Sequence, residues 1–257
     1  MTMAAPARPD LGAASRALDG IFLVMALLVL WQILYAIVGD IALTPPVTTF
    51  MHAFEIISVD WFRPHLAATI KAFSMSFVIA GLAGVLIGLA LGFHRLSGEV
   101  AEPILAALYS IPKVTLYPIV LLLFGLGLSA KVAFGVIHGV IPVIIFTLNA
   151  VRNINPVYLR TARALRLRPG QTVWCVLAPA VLPEIMTGLR VGFGLTLLGV
   201  VIGEMFASQH GLGFIIIRGV NVHNVKDMCA VILLFVIFSA GSNMLLLWLE
   251  RKLNPGG

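Results

Sequence analysis

Three consecutive stretches decide how this chain is built: KVAFGVIHGVIPVIIFTLNA (131–150), VRNINPVYLRTARALRLRPGQTVWCV (151–176) and LAPAVLPEIMTGLRVGFGLTLLGVVIGEMF (177–206). The outer two are apolar runs of the ~20 residues that a helix needs to cross ~30 Å of hydrocarbon. The connection between them holds five Arg and no Asp or Glu. A membrane strand would alternate apolar and polar residues, and these runs are continuous, so they read as helices. Similar runs occur at 18–38, 72–92, 103–125 and 228–249, which gives six spans, with five or seven as neighbouring counts. The run Ile21–Val38 is longer than the apolar core of a signal peptide and reads as an uncleaved anchor. Composition agrees: 60% of residues are hydrophobic and 11% charged, against roughly 45–50% and ~25% in a soluble domain. The expected fold is all-α and polytopic. A tail covers 1–17, a transmembrane domain 18–250 with the 151–176 loop inside it, and a second tail 251–257.

The net charge of +6 concerns the bilayer here, and nucleic acid is not an expected partner. Six spans place both termini and the 151–176 loop on one side. That side carries Arg8, Arg16, Arg95, Arg152, Arg160, Arg163, Arg166, Arg168, Arg251 and Lys252, against Arg63, Lys71, Lys131, Arg218 and Lys226 on the other. The excess assigns the loop and both termini to the cytoplasm. Glycines recur four apart at Gly84/Gly88/Gly92, Gly188/Gly192 and Gly199/Gly203, a spacing that lets helix backbones approach closely in lipid. Pro112, Pro118 and Pro142 lie within spans and are candidate kinks. Cys175 and Cys229 have no metal-ligand spacing.

The loop has its own helix punctuation. Asn155 suits an N-cap, Pro156 the first helical position, and Pro169-Gly170 a stop. At 3.6 residues per turn Tyr158, Thr161, Ala162 and Leu165 share a narrow face, and Arg160, Arg163, Arg166 and Arg168 fan over the remainder. Two readings follow from the residues. The arginines are topogenic charge lying on anionic headgroups, or the helix is a docking element presented to a soluble partner.

From Arg160 through Ala162, Val176 and Pro179 the spacing resembles the loop signature of binding-protein-dependent ATP-binding-cassette importer permeases: E-A-A, three residues, G, nine residues, I-x-L-P. Ala162 matches the second alanine, Val176 stands for isoleucine, and Pro179 is in register. Arg160 replaces the glutamate, Thr161 the first alanine, Arg166 the glycine and Ala178 the leucine. Leu-Pro-Glu-Ile-Met-Thr-Gly-Leu-Arg (182–190), Gly203-Glu-Met-Phe-Ala-Ser-Gln-His-Gly-Leu-Gly-Phe214, Leu43-Thr-Pro-Pro46, and Ile111-Pro112 with Phe124-Gly-Leu-Gly127 resemble further parts of the same family, over roughly residues 40–250. The branch is the nitrate/sulfonate/taurine type.

The resemblance implies a transport subunit, not an enzyme, in a bacterial inner membrane. The coupling residues would be Tyr158, Arg160, Thr161, Ala162, Arg163, Leu165, Arg166, Leu167, Pro169, Gly170 and Pro179. Two ATPase subunits would receive the loops of two permease copies, expected to be identical. A periplasmic or lipid-tethered binding protein would dock around 40–71 and 207–226. Spans two to five would form the path, with spans one and six peripheral. The chain has no G-x-x-x-x-G-K-[ST], so no cofactor is expected on it, and ATP with Mg belongs to the partner. The implied cargo is a small polar solute, foremost an anion such as a sulfonate, nitrate or a carboxylate.

Ionisable or polar groups at membrane depth are candidates for the path: Lys113 in the inner half of span three, Asn149, Arg190 and Glu204. Each has a quieter reading. Lys113 would snorkel or pair with Glu184 or Glu102. Arg190 would pair with Glu184. Glu204 would lock the Gly211-Leu-Gly213 turn by accepting backbone N–H groups, and His210 would be an exposed histidine. The rival function is an ion-coupled secondary transporter, which calls for a mid-membrane carboxylate and often a repeat. The carboxylates here lie near span ends. A membrane enzyme would want a nucleophile dyad or a His-rich motif, and the six histidines are scattered.

Overall fold

The computed structural model describes residues 13–253; the outer parts of both expected tails, Arg8 and 254–257 included, lie outside the described residues. Those described are helical, with no strand among them. In chain order the helices are α1 (Ala13–Val38), α2 (Pro46–Ile57), α3 (Phe62–Phe93), α4 (Arg95–Ser110), α5 (Tyr117–Phe124), α6 (Leu128–Arg152), α7 (Pro156–Ala164), α8 (Pro169–Thr172), α9 (Ala178–Ala207), α10 (Leu212–Asn221) and α11 (Val225–Leu253). Five segments are long and apolar enough to cross a membrane, or six if α4 and α5 are one broken span.

Two spans depart from the sequence expectation. α3 begins ten residues before position 72, because Pro64 falls in its first turn, where a missing N–H removes no helical bond, and Arg63 stays exposed. The third span is not one helix: α4 and α5 meet at 84°. The break follows from Pro112, which disfavours helical backbone at the residue before it. Ile111 is extended there (ψ 131°), and a 3-10 turn, Lys113–Leu116, leads into α5, whose first turn accommodates Pro118. Pro142 lies within α6 without ending it.

The core is α3, α6 and α9, packed through glycine. A Cβ on Gly88 would stand 2.6 Å from Thr147 Cβ, and one on Gly84 2.6 Å from Val143 Cβ, on the α3–α6 crossing. On the α6–α9 crossing, Gly188 faces Phe146 Cβ and Gly192 faces Val143 Cγ2, both at 2.6 Å. Van der Waals contact needs about 3.5–4 Å, so any side chain at these points forces the helices apart. The approach also depends on Gly135, against Ser76 and Val200, and Gly139, against Thr196. These two lie outside the glycine series that the sequence spacing singles out.

α1 lies outside this core with most of its surface exposed, tied by Trp31 Nε1 donating to Thr44 O at 3.0 Å. α2 and α11 pack through Ala53, Ala230 and Leu233, and His52 meets Asp227 at 2.7 Å. The bundle therefore has two distinct ends. One bears α7 and the α6–α9 connection. The opposite end gathers the starts of α3 and α6, the end of α9, and α10.

Candidate functional site

At the loop end, α7 starts where its sequence requires. Asn155 Oδ1 accepts from Val157 N at 3.0 Å, and Pro156 holds the first position. Ala162 is the buried residue of this helix and Leu159 is half-buried. Tyr158, Thr161 and Leu165, expected to share a face with Ala162, are exposed. The single methyl of Ala162 seats the helix, and the larger side chains beside it face outward. Trp174 stands 78% exposed on the following segment. Arg160, Arg163, Arg166 and Arg168 are all exposed, and none is paired with a carboxylate among the described residues.

The turn after α7 accounts for the largest departure in the loop signature. Leu167 N donates to Ala162 O at 3.1 Å and Arg166 N to Arg163 O at 3.0 Å, the two bonds of a Schellman C-cap. That cap needs a left-handed residue, and Arg166 supplies it at φ 50°. Here, where the signature has glycine, arginine keeps the same backbone at a cost of ~1–2 kcal/mol. Arg166→Gly should therefore tighten the turn by about 0.5–1 kcal/mol, net of glycine's freer unfolded chain. Hydrogen exchange at the amides of positions 166 and 167 in this variant reads this as a several-fold slowing.

Pro169 and Gly170 open α8, so they begin a helix as well as ending the preceding turn. Between α8 and α9 lies a π turn, Val173–Leu177, closed by Ala178 N donating to Val173 O. Pro179 has no N–H for the carbonyl four residues back, and the wider turn re-routes the ladder around it. No break occurs at Pro183, which lies within α9.

The candidate path residues are not brought together. α4 runs antiparallel to α6: Gly98 faces Arg152, and Leu105 packs with Ile144 and Leu148. Lys113 opens the 3-10 turn at the break between α4 and α5. Its Nζ donates to Tyr109 O at 3.1 Å and lies 4.8 Å from the Tyr109 ring centre. Neither expected carboxylate meets it, since Glu102 pairs with Arg152 at 2.6 Å and Glu184 has no ion-pair partner among the described residues. Arg190 is joined not to Glu184 but to Glu250 of α11, at 3.2 Å, and Thr187 Oγ1 donates to the other Glu250 oxygen at 2.6 Å. Its charge is therefore compensated. Asn149 is half-buried in the last turns of α6, away from Lys113.

Glu204 belongs to a buried cluster at the opposite end. It is fully inaccessible; Thr69 Oγ1 donates to its carboxylate at 2.8 Å, Gly213 N donates at 3.0 Å, and Lys131 Nζ lies 3.7 Å away. Thr69 Oγ1 in turn accepts from Leu212 N at 2.8 Å, and Lys131 donates to His210 O at 2.5 Å. A Cβ on Gly211, at φ 130°, would fall on the carboxylate itself. Lys131, counted in the sequence among outer-loop charges, is 4% exposed and is the counter-ion of Glu204. Thr69, Lys131 and His65, whose Nδ1 accepts from Gly211 N at 3.1 Å, are the members that sequence reading missed. An isolated lysine four residues into an apolar helix was the available signal.

Comparison with known proteins agrees with this architecture. The family described as binding-protein-dependent transport system inner membrane component matches residues 80–256. The taurine transport system permease protein of Escherichia coli (strain K12) is 29% identical, over 74% of this chain and 70% of its own. The nitrate import permease protein of Leptolyngbya laminosa is 30% identical, over 74% and 71%. The bicarbonate transport system permease protein of Synechococcus elongatus is 29% identical, over 91% and 90%. In fold, a chain of the inward-facing MetNI methionine ABC transporter is similar, with TM-score 0.57 and 21% identity, over 73% of this chain and 94% of that one. This chain belongs to the binding-protein-dependent transport system inner membrane components, as a multi-pass permease of ATP-binding-cassette importers of the sulfonate, taurine and nitrate type.

Proposed function

We propose that the chain imports a small oxyanion, is driven by ATP hydrolysed on two separate subunits, and receives those subunits on α7 and the turn after it. The observation that carries this is the loop-end surface. Four exposed arginines without carboxylate partners among the described residues surround Tyr158, Leu165 and Trp174, all outward. Charge lying on headgroups alone gives no reason for a capped helix, a buried seating alanine or a strained C-cap. A protein partner gives a reason for each. On this reading the loop end is cytoplasmic, in keeping with its arginine excess. A second copy of the chain completes the path, and a binding protein delivers cargo at the opposite end.

The oxyanion part is supported by relatives named for nitrate, bicarbonate and taurine, the last a sulfonate. It is supported also by Lys113, a cation at the break between α4 and α5 with no carboxylate partner among the described residues. The test is purification of the tagged chain from its own membrane in mild detergent, with mass spectrometry and an ATPase assay. The expected result is recovery of an ATPase bearing a phosphate-binding loop, whose hydrolysis rises with a binding protein that carries an oxyanion. A lone chain that moves solute on an ion gradient without ATP would overturn the reading.

A further inference from the structure

At the end opposite α7 a cavity of about 600 Å³ opens between the starts of α3 and α6 and the segment after α9. Lys71, Lys131, Phe206, Ser208, Gln209 and His210 line it. No carboxylate is among the lining residues. The neighbouring acid, Glu204, is inaccessible, its oxygens held by Thr69, Gly213 and Lys131. Lys131 directs one N–H to His210 O and faces Glu204, and an ammonium has three donors, so one remains. Lys71 is exposed and pairs with no carboxylate among the described residues. Gly127, also in the lining, opens the 25-residue α6 without a side-chain cap, which adds the positive end of a helix dipole.

One lining residue, Phe206, belongs to an aromatic pair. Phe206 packs on Tyr117 with ring centres 5.2 Å apart. The Tyr117 hydroxyl is buried and has no hydrogen-bond partner among the described residues. Tyr117 lies one turn beyond Lys113 in the chain. The exposed Lys71 without a lining acid, the remaining donor of Lys131, and a volume in the range of small-ligand sites all suit a compact anion.

We infer that Lys71, Lys131, Gln209 and His210 form an oxyanion-binding site at the mouth of the path, where cargo is held before it reaches Lys113. This rests on the anion reading above and adds a station to it. The test titrates the purified, delipidated chain in neutral detergent with sodium nitrate, with sodium chloride as control, and follows thermal unfolding. Nitrate should raise the unfolding temperature saturably, with a Kd on the order of 1 mM. Lys71→Glu, an exposed substitution that leaves the buried pair intact, should weaken binding by about tenfold through like-charge repulsion. Lys226→Glu, an exposed reversal outside the cavity lining, should leave it unchanged.

A non-saturating response, or one weakened as much by Lys226→Glu as by Lys71→Glu, would overturn the site. So would loss of the nitrate response in phosphatidylglycerol nanodiscs, which would assign the cavity to a lipid phosphate. Nitrate import by the whole complex is scored separately. Binding retained without import removes the cargo reading and leaves the site. Import retained with binding untouched by Lys71→Glu removes the site and leaves the cargo reading.

Discussion

Replacing Arg160 and Arg163 together by glutamate is expected to cut ATP-driven uptake by about a hundredfold or more, and to release the ATPase during purification. Each arginine would offer charge-assisted hydrogen bonds worth ~1.5–3 kcal/mol apiece, and reversal adds repulsion where attraction stood. Both side chains are exposed and unpaired with carboxylates among the described residues, so the chain itself loses no contact and should accumulate normally. Arg160→Lys with Arg163→Lys preserves the charge and should retain most of the uptake, less whatever the guanidinium fork supplies. The orientation control is already in the chain. Cys175 is exposed beside the loop and Cys229 is buried, so an impermeant maleimide should label inside-out vesicles and spare intact cells. Unchanged uptake and an unchanged ATPase yield with the double glutamate variant would reduce the arginines to topogenic charge.

The second large effect lies at the opposite end. Lys131→Met removes the counter-ion of a carboxylate with no access to water, and breaking a buried pair in this way costs ~3–5 kcal/mol. It also removes one of the two donors to His210 O, leaving Ser208 Oγ. Thermal unfolding in detergent should fall accordingly. Glu204→Gln keeps an oxygen for Gly213 N and removes the stranded charge, so the double variant should regain stability to within about 1 kcal/mol of wild type, a coupling that separate sites would not give. If Lys131→Met unfolds like wild type, Glu204 does not depend on the lysine as its counter-ion.

Much of this molecule was legible in order along the chain. The apolar runs identify the spans, because lipid demands ~20 residues of hydrocarbon-compatible side chains and no tertiary contact substitutes for them. The loop helix was equally readable: Asn155, Pro156 and the arginine run are local signals, and capping acts over three residues. Helical spacing places Tyr158, Thr161, Ala162 and Leu165 as neighbours but does not say which neighbour the rest of the protein covers. Ala162 alone is covered.

Charge partners were the least legible. Arg190 finds Glu250 sixty residues away and Lys131 finds Glu204 across the bundle, whereas sequence proximity pointed to Glu184 and to an outer loop. Pro112 marked a candidate kink, but the 84° angle between α4 and α5 depends on what α6 leaves room for.

The sequence alone determined the membrane-spanning, all-helical class, the loop helix and the spacing that ties the chain to importer permeases, since each rests on local periodicity or on the solvent demanded by composition. Tertiary structure decided the pairing of Arg190 with Glu250, the burial of Lys131 and the cavity above it. Those depend on contacts between residues far apart in the chain, and no local pattern encodes which distant backbone will arrive there.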